Sequence, residues 1–242
     1  MRKITEKRKL KEKRGTGTGA SYKPWIQAKE IGSIGTESVF NDWKHGRQIQ
    51  CLSQGEKYAY HILRWQEDVL DIREQFPLEL EHTLDIARKL GLPHPHNRNT
   101  HMTTDFLVDF QTLDGSQYQK AFSIKPNNSS FNKYNLKNFE IEYVYWGKLG
   151  IHLEIIPADN INRAYVSNII QCVRYYDPKT IQNYTDLVKH LIARKILTVD
   201  MESCYLNFTE IAEKIFTSPA QIKKIIEVCK EKRYKHGQIE IL

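Results

Sequence analysis

Residues 102–125 read Met-Thr-Thr-Asp-Phe-Leu-Val-Asp-Phe-Gln-Thr-Leu-Asp-Gly-Ser-Gln-Tyr-Gln-Lys-Ala-Phe-Ser-Ile-Lys. Two extended runs, Met102 to Leu113 and Gln117 to Lys125, flank Asp114-Gly115, and Asp-Gly between alternating runs is the strongest short-range hairpin signal. A two-residue turn there pairs positions whose numbers sum to about 229, setting Asp105 almost opposite Ile124 and Lys125. Side chains alternate along a strand, so Ser123 and Lys125 share one face while Phe122 and Ile124 take the other. Asp105 is followed by Phe106-Leu107-Val108. A carboxylate in such an apolar strand is costly without a cation nearby.

Working outward from the hairpin, Ser53-Gln-Gly-Glu56 is a capping-box pattern that predicts a helix to about Asp68, with Ala59, Ile62 and Leu63 as its apolar stripe. Val69 to Phe76 reads as a strand ending at Pro77, and Glu79 to Leu90 as a helix closed by Gly91. A helix over Asn132 to Leu149 and a strand from Ile151 to Ile156 follow the hairpin. Together these give an α/β domain, a mixed sheet flanked by helices. Beyond Pro157 the pattern turns helical: Asn160 to Tyr176, Ile181 to Lys195, and Phe208 to Glu231 with a break near Thr217-Ser-Pro219. Thr209–Phe216 and Pro219–Lys230 have helix-turn-helix proportions, and Lys232–Leu242, around His236-Gly237, reads as a wing. The expected organisation is a basic tail and irregular arm over 1–46, a catalytic domain over 47–157, and a small helical winged-helix-like domain over 158–242.

Of the 242 residues 40% are apolar and 11% aromatic, enough for a sizeable core. No apolar run is long enough to span a bilayer and the first residues are charged, so the expectation is a cytoplasmic protein with no membrane association. Cys51, Cys172, Cys204 and Cys229 are widely spaced and read as buried free thiols. The net charge of +7 points to an acidic partner such as DNA. Residues 1–14 hold eight basic and two acidic side chains, which leaves +1 for all the rest. This tail is expected to be mobile and drawn to phosphates.

Hydrolysis of a phosphodiester calls for a hard cation to polarise the phosphate and activate water, and Mg²⁺ prefers carboxylate oxygens. Two converging carboxylates and a lysine are therefore the set to look for. Glu56, Asp105 and Lys125 supply it: an acid on a helix, then an acid and a lysine across a hairpin, is the layout of PD-(D/E)xK nucleases. Each residue also has a plainer account, as a cap, a structural ion pair and a strand end. His94, His96 and His101 cluster near Pro95, but no cysteine or spaced acid completes a zinc set. Tyr22 and Trp25 beside Lys23 either flank DNA or pack the arm on the core.

The order of several motifs makes the resemblance specific. Arg14-Gly-Thr-Gly17, Tyr22-Lys-Pro-Trp25, Gly46-Arg47, Asp71-Ile-Arg-Glu-Gln-Phe-Pro-Leu78, Met102-Thr-Thr-Asp105, Ile124-Lys-Pro126 and Glu140-Ile-Glu-Tyr143 with Trp146 run as in TnsA-type transposon endonucleases. The chain resembles that family over about its first 156 residues. The resemblance implies a restriction-endonuclease-like catalytic domain and a winged-helix-like C-terminal domain. It implies cleavage of the 5′ ends of a transposon, with a separate transposase subunit cutting the 3′ ends and an AAA+ ATPase regulating the process. It makes Glu56 and Asp105 metal-binding carboxylates, Lys125 the active-site lysine and Ile124 a carbonyl ligand for Mg²⁺, with Mn²⁺ able to substitute. The chain departs from the pattern at Ser123, where the family or the wider nuclease pattern has Gln, Glu or Asp. A second metal would then need Ser123 or an acid of the next helix, Glu140 or Glu142. A nuclease of another kind on the same fold, or a catalytically idle DNA-binding or scaffolding subunit, remains the alternative.

Overall fold

The computed structural model describes residues 4–30, 38–95, 100–125 and 133–216, with 218, 223 and 225–227. The chain divides into two compact units, Met1–Ile161 and Asn162–Leu242. The first holds a four-stranded mixed sheet: β3 (Val69–Pro77), β4 (Thr103–Gln111), β5 (Gln117–Lys125) and β6 (His152–Pro157), side by side in that order. β3, β4 and β5 are antiparallel and β6 runs parallel to β5. A parallel pair needs a crossover, and α4 (Lys133–Lys148) lies in it.

Helices cover both faces. On one, Leu107, Ala121 and Leu153 of the sheet pack with Ile86 and Ala87 of α3 (Leu80–Leu90) and with Ile141, Tyr145 and Trp146 of α4. On the other lies α2 (Gln54–Trp65), whose Tyr60 meets Phe106 at 6.2 Å between ring centroids. This is the expected mixed sheet flanked by helices. α2 starts where the cap predicts, with the Ser53 hydroxyl accepting the Glu56 N–H at 3.1 Å. α3 ends at Gly91, in the left-handed conformation.

The β4–β5 turn is longer than expected. Phe106 pairs with Phe122 and Gln111 with Gln117, so the register is one residue away from that of a two-residue turn. Asp114 is the cause: its carboxylate accepts from the hydroxyl and N–H of Ser116 at 2.8 and 3.1 Å and from the Thr112 hydroxyl, closing a wider loop. Gly115 supplies the positive φ within it.

The N-terminal residues differ most from expectation. They carry a short helix, α1 (Glu6–Lys11), capped by Thr5, and a hairpin of β1 (Ser38–Asn41) with β2 (Gln48–Cys51) that straddles the expected boundary at residue 46. The tail is anchored rather than loose. Arg14 is buried, its guanidinium 2.6 Å from Glu30 and 2.8 Å from Glu12, and the Glu6 carboxylate accepts the His101 N–H at 3.2 Å. Gly15 is a glycine by necessity: its φ is +73° and an added Cβ would lie 2.2 Å from Pro77.

The N-terminal segments and α2 together cover the free edge of β3, whose unpaired carbonyls would otherwise invite another strand. Arg64 donates to the Leu70 carbonyl, Arg47 to Ile72, the Tyr22 hydroxyl to Glu74 and the Trp25 N–H to Gln75. Both arginines are themselves neutralised in the interior, Arg47 by Glu74 at 2.6 Å and Arg64 by Asp42 at 2.9 Å.

The second unit contains α5 (Arg163–Val173), α6 (Tyr184–Ala193) and α7 (Phe208–Ile215), with α6 packed against both of the others; Leu187 and Leu191 of α6 form a buried cluster with Ile181. Asn162, Asn183 and Asn207 cap the three helices. The expected wing and most of the second helix of the helix-turn-helix lie outside the described residues. No described helix is long and apolar enough to cross a membrane.

Candidate active site

The site forms where the sheet kinks. Even-numbered residues should share a face of β3, yet Glu74 binds Arg47 whereas Phe76 packs on Trp146 of α4, 6.0 Å between ring centroids. β4 does the same: Thr104 bonds α4, donating to Glu142 at 2.7 Å, while Phe106 meets Tyr60 of α2. The alternation breaks at Gln75, whose φ is +48°, and at Asp105 opposite it; the ladder pairs 74 with 106 and 76 with 104 around them. A residue other than glycine in that conformation costs about 1–3 kcal/mol and persists only where its surroundings impose it. The consequence is a seam at which groups from both faces of the sheet reach Asp105.

Glu56 arrives from α2. It is 7% exposed, its carboxylate accepting the Leu52 N–H at 2.8 Å and the Ser53 hydroxyl at 3.0 Å. This is a capping box shifted by one residue, since the reciprocal bond goes to Leu52 rather than to Ser53. Gly55 lets the helix start so close: a Cβ there would meet Ala158 at 2.9 Å and the Ile124 side chain at 3.0 Å. Asp105 is partly buried, and one of its oxygens accepts the Ile124 N–H at 2.7 Å. Gln75 spans the two acids, its side-chain nitrogen 3.2 Å from Glu56 and 3.5 Å from Asp105.

Lys125 and Glu142 complete the cluster. Burial pushes Glu56 above the ordinary carboxylate range and the charge of Asp105 adds to it. Burial also raises Asp105, against the Lys125 ammonium, which lowers it. Glu142, buried on α4, is pushed up to about 7 by burial, with Lys125 pulling the other way. The site thus gathers more carboxyl groups than its one lysine can hold ionised, which is the electrostatic condition that a bound cation relieves. The oxygen donors and their carboxylate character suit a hard divalent ion. Among the described residues no group of three or more His, Cys, Asp and Glu side chains is placed to hold a metal by itself. Glu56 and Asp105 are the pair that Gln75 joins, with Glu142 near enough to feel the charge of Asp105.

Of the four expected site residues, Glu56, Asp105 and Ile124 meet directly or through Gln75, and Lys125 lies within electrostatic reach of Asp105. Ser123 points elsewhere: it is 1% exposed and its hydroxyl donates to Glu142 at 3.4 Å. Glu140 is exposed whereas Glu142 is buried, so only Glu142 joins the cluster. His94 and His101 go to different partners, Thr83 and Glu6, and His96 lies outside the described residues. Tyr22 and Trp25 are buried in the arm's packing. Cys51 and Cys172 are buried, but Cys204 is exposed.

The sequence of this region matches the family described as TnsA-like endonuclease N terminal, over residues 66–157. This segment is a TnsA-like endonuclease N-terminal domain. The match takes in Gln75, Asp105, Lys125 and Glu142, and begins after Glu56. The chain is also similar to the Transposon Tn7 transposition protein TnsA of Escherichia coli, 38% identical over 164 residues. The aligned stretch is 67% of this chain and 59% of that relative, so the chain spans about three fifths of the length of the protein it matches. The mixed sheet flanked by helices is of the restriction-endonuclease-like kind.

Proposed function

We propose that this chain is the endonuclease subunit of a Tn7-type transposase, hydrolysing one phosphodiester at each 5′ end of a mobile element with Mg²⁺ or, in its place, Mn²⁺. The observation that carries this reading is the convergence of Glu56 and Asp105, with Lys125 beside Asp105, at the kink of a TnsA-like domain. Glu56, Asp105 and the Ile124 carbonyl would hold one cation. The cation, when bound, supplies Lewis-acid activation of the phosphate and of a water molecule.

The protein's own part follows from the geometry. The Ile124 N–H and the Ser53–Leu52 pair orient the two carboxylates before substrate arrives. The Lys125 ammonium stands against the charge that develops on the phosphate in the transition state. Thr104, Ser123 and Glu142 form a buried polar network whose carboxyl lies within electrostatic reach of Lys125. The partners of this reading are transposon-end DNA, a transposase subunit that cuts the 3′ ends, and an AAA+ ATPase regulator. The deciding experiment is 5′-end cleavage of a plasmid-borne transposon end in Mg²⁺, with the 3′-cutting transposase subunit present. Wild type cleaves and Asp105→Ala does not, although it melts like wild type. Equal cleavage by the variant would overturn the assignment.

A further inference from the structure

Gln75 is 2% exposed, sits in a left-handed conformation inside a strand, and aims its carboxamide between two acids. Its side-chain nitrogen faces Glu56 and Asp105, and the amide oxygen accepts the Thr103 hydroxyl at 3.1 Å. The backbone is pinned as well, its carbonyl accepting the Trp25 N–H at 3.2 Å.

Neither acid needs Gln75 for its position. Glu56 is held by Leu52 and Ser53, and Asp105 by Ile124. What Gln75 alone supplies, among the described residues, is a donor shared by both carboxylates. At 3.2 and 3.5 Å these are long bonds for an amide to a carboxylate. They tie the two acids together across the gap between α2 and β4, yet they are weak enough to be given up.

We propose that Gln75 is a positioning residue that stands in for the cation: its carboxamide bridges Glu56 and Asp105 in the metal-free protein and yields that space when a divalent ion binds. The inference rests on the reading of Glu56 and Asp105 as a cation site. It gives an otherwise unexplained strained glutamine a role, keeping the empty site closed and folded until metal arrives.

The test compares the full-length wild type with Gln75→Met, of similar length but without donors, and Gln75→Asn, which keeps an amide, tolerates the left-handed conformation and is too short to bridge. Mn²⁺ binding is measured by calorimetry, and melting is followed in EDTA and in saturating Mn²⁺. The variants should melt lower than wild type in EDTA but equal to it in Mn²⁺, with Mn²⁺ binding about threefold to tenfold tighter because the ion no longer displaces the amide. If Gln75 is a purely structural residue, melting falls equally in both conditions with affinity unchanged; if it supports the loaded site, affinity weakens. Either result overturns the proposal while leaving the cation site standing. Should wild type and Asp105→Ala bind Mn²⁺ alike, the cation site itself is wrong and the proposal falls with it. Gln75→Asn keeps the comparison available if the methionine variant does not fold.

Discussion

Gly55→Ala tests how closely the chemistry depends on one missing methyl group. In a helix interior the change normally stabilises by about 1 kcal/mol, because glycine has the larger conformational freedom to lose. Gly55 lies in the first turn of α2, where an added Cβ meets the Ala158 Cβ at 2.9 Å and an Ile124 methyl at 3.0 Å. Both approaches are closer than packed carbons tolerate, and both partners are short side chains on backbone with little room to retreat. Overpacking of this kind costs about 1–3 kcal/mol, so the helix start must move away from β5 or the protein must lose stability. A net destabilisation of about 0–2 kcal/mol is expected from the two opposed effects. The functional loss should be larger. Glu56 follows Gly55 directly and Ile124 donates to Asp105, so any separation of α2 from β5 widens the acid pair. A misplacement of about 1 Å at a reacting centre costs on the order of a hundredfold in rate. Gly147→Ala is the control: this glycine of α4 is exposed, with nothing within 4 Å of a new Cβ. Urea melts and end-cleavage rates are measured on both variants. Gly147→Ala should be unchanged or slightly stabilised and fully active. A Gly55→Ala protein as active as wild type and more stable would refute the reasoning.

Three further outcomes follow from the same geometry. Ser123→Ala should cost little cleavage, since the hydroxyl faces Glu142 rather than Asp105, whereas Lys125→Ala should cost about two to three orders of magnitude by removing the charge set against the phosphate; equal losses in parallel rate measurements would make the hydroxyl an essential group. Deleting residues 1–14 should destabilise the protein by about 3–5 kcal/mol, because it removes Arg14 and leaves Glu30 without that guanidinium in the interior. Replacing the exposed Lys7, Lys11 and Lys13 with Gln should instead leave melting unchanged and flatten the salt dependence of DNA affinity by about 0.9 for each phosphate no longer neutralised; an unchanged slope would assign these lysines no part in binding DNA.

The sheet was legible in the sequence because the apolar run Phe106-Leu-Val108 marks a strand covered on both faces and because Asp114-Gly115 marks the turn. The pairing register was not, since it depended on the Asp114 carboxylate closing the loop around Thr112 and Ser116. Glu56 and Asp105 could be named from spacing and apolar context, and the choice between Glu140 and Glu142 could not, because two acids two apart on a helix differ only in which one the sheet covers. Gln75 left no signal at all. Nothing in Glu74-Gln-Phe76 favours positive φ as glycine or asparagine would, and the kink is imposed by the residues around it. The anchoring of the tail was hidden for the opposite reason. Its charge surplus is real, but Arg14 and Glu6 are used inside the fold, and composition counts them with the rest.

Why motifs remote from the chemistry should accompany it becomes clear at the edge of β3. Tyr22, Trp25, Arg47 and Arg64 each donate to a carbonyl between Leu70 and Gln75, replacing the ladder bonds that a fifth strand would have made. A neighbouring strand would impose regular pleating on that edge, whereas four separate donors do not. The edge is therefore free to adopt the left-handed turn at Gln75, and the last of the donors, the Trp25 N–H, binds the carbonyl of that very residue. Gly15 brings the arm against Pro77, just beyond the kink. The glycine and aromatic landmarks of the first 47 residues thus act on the acid pair through the backbone of β3. A regular fifth strand in their place would straighten Gln75 and return Asp105 to an ordinary pleat, away from the seam where Glu56 meets it.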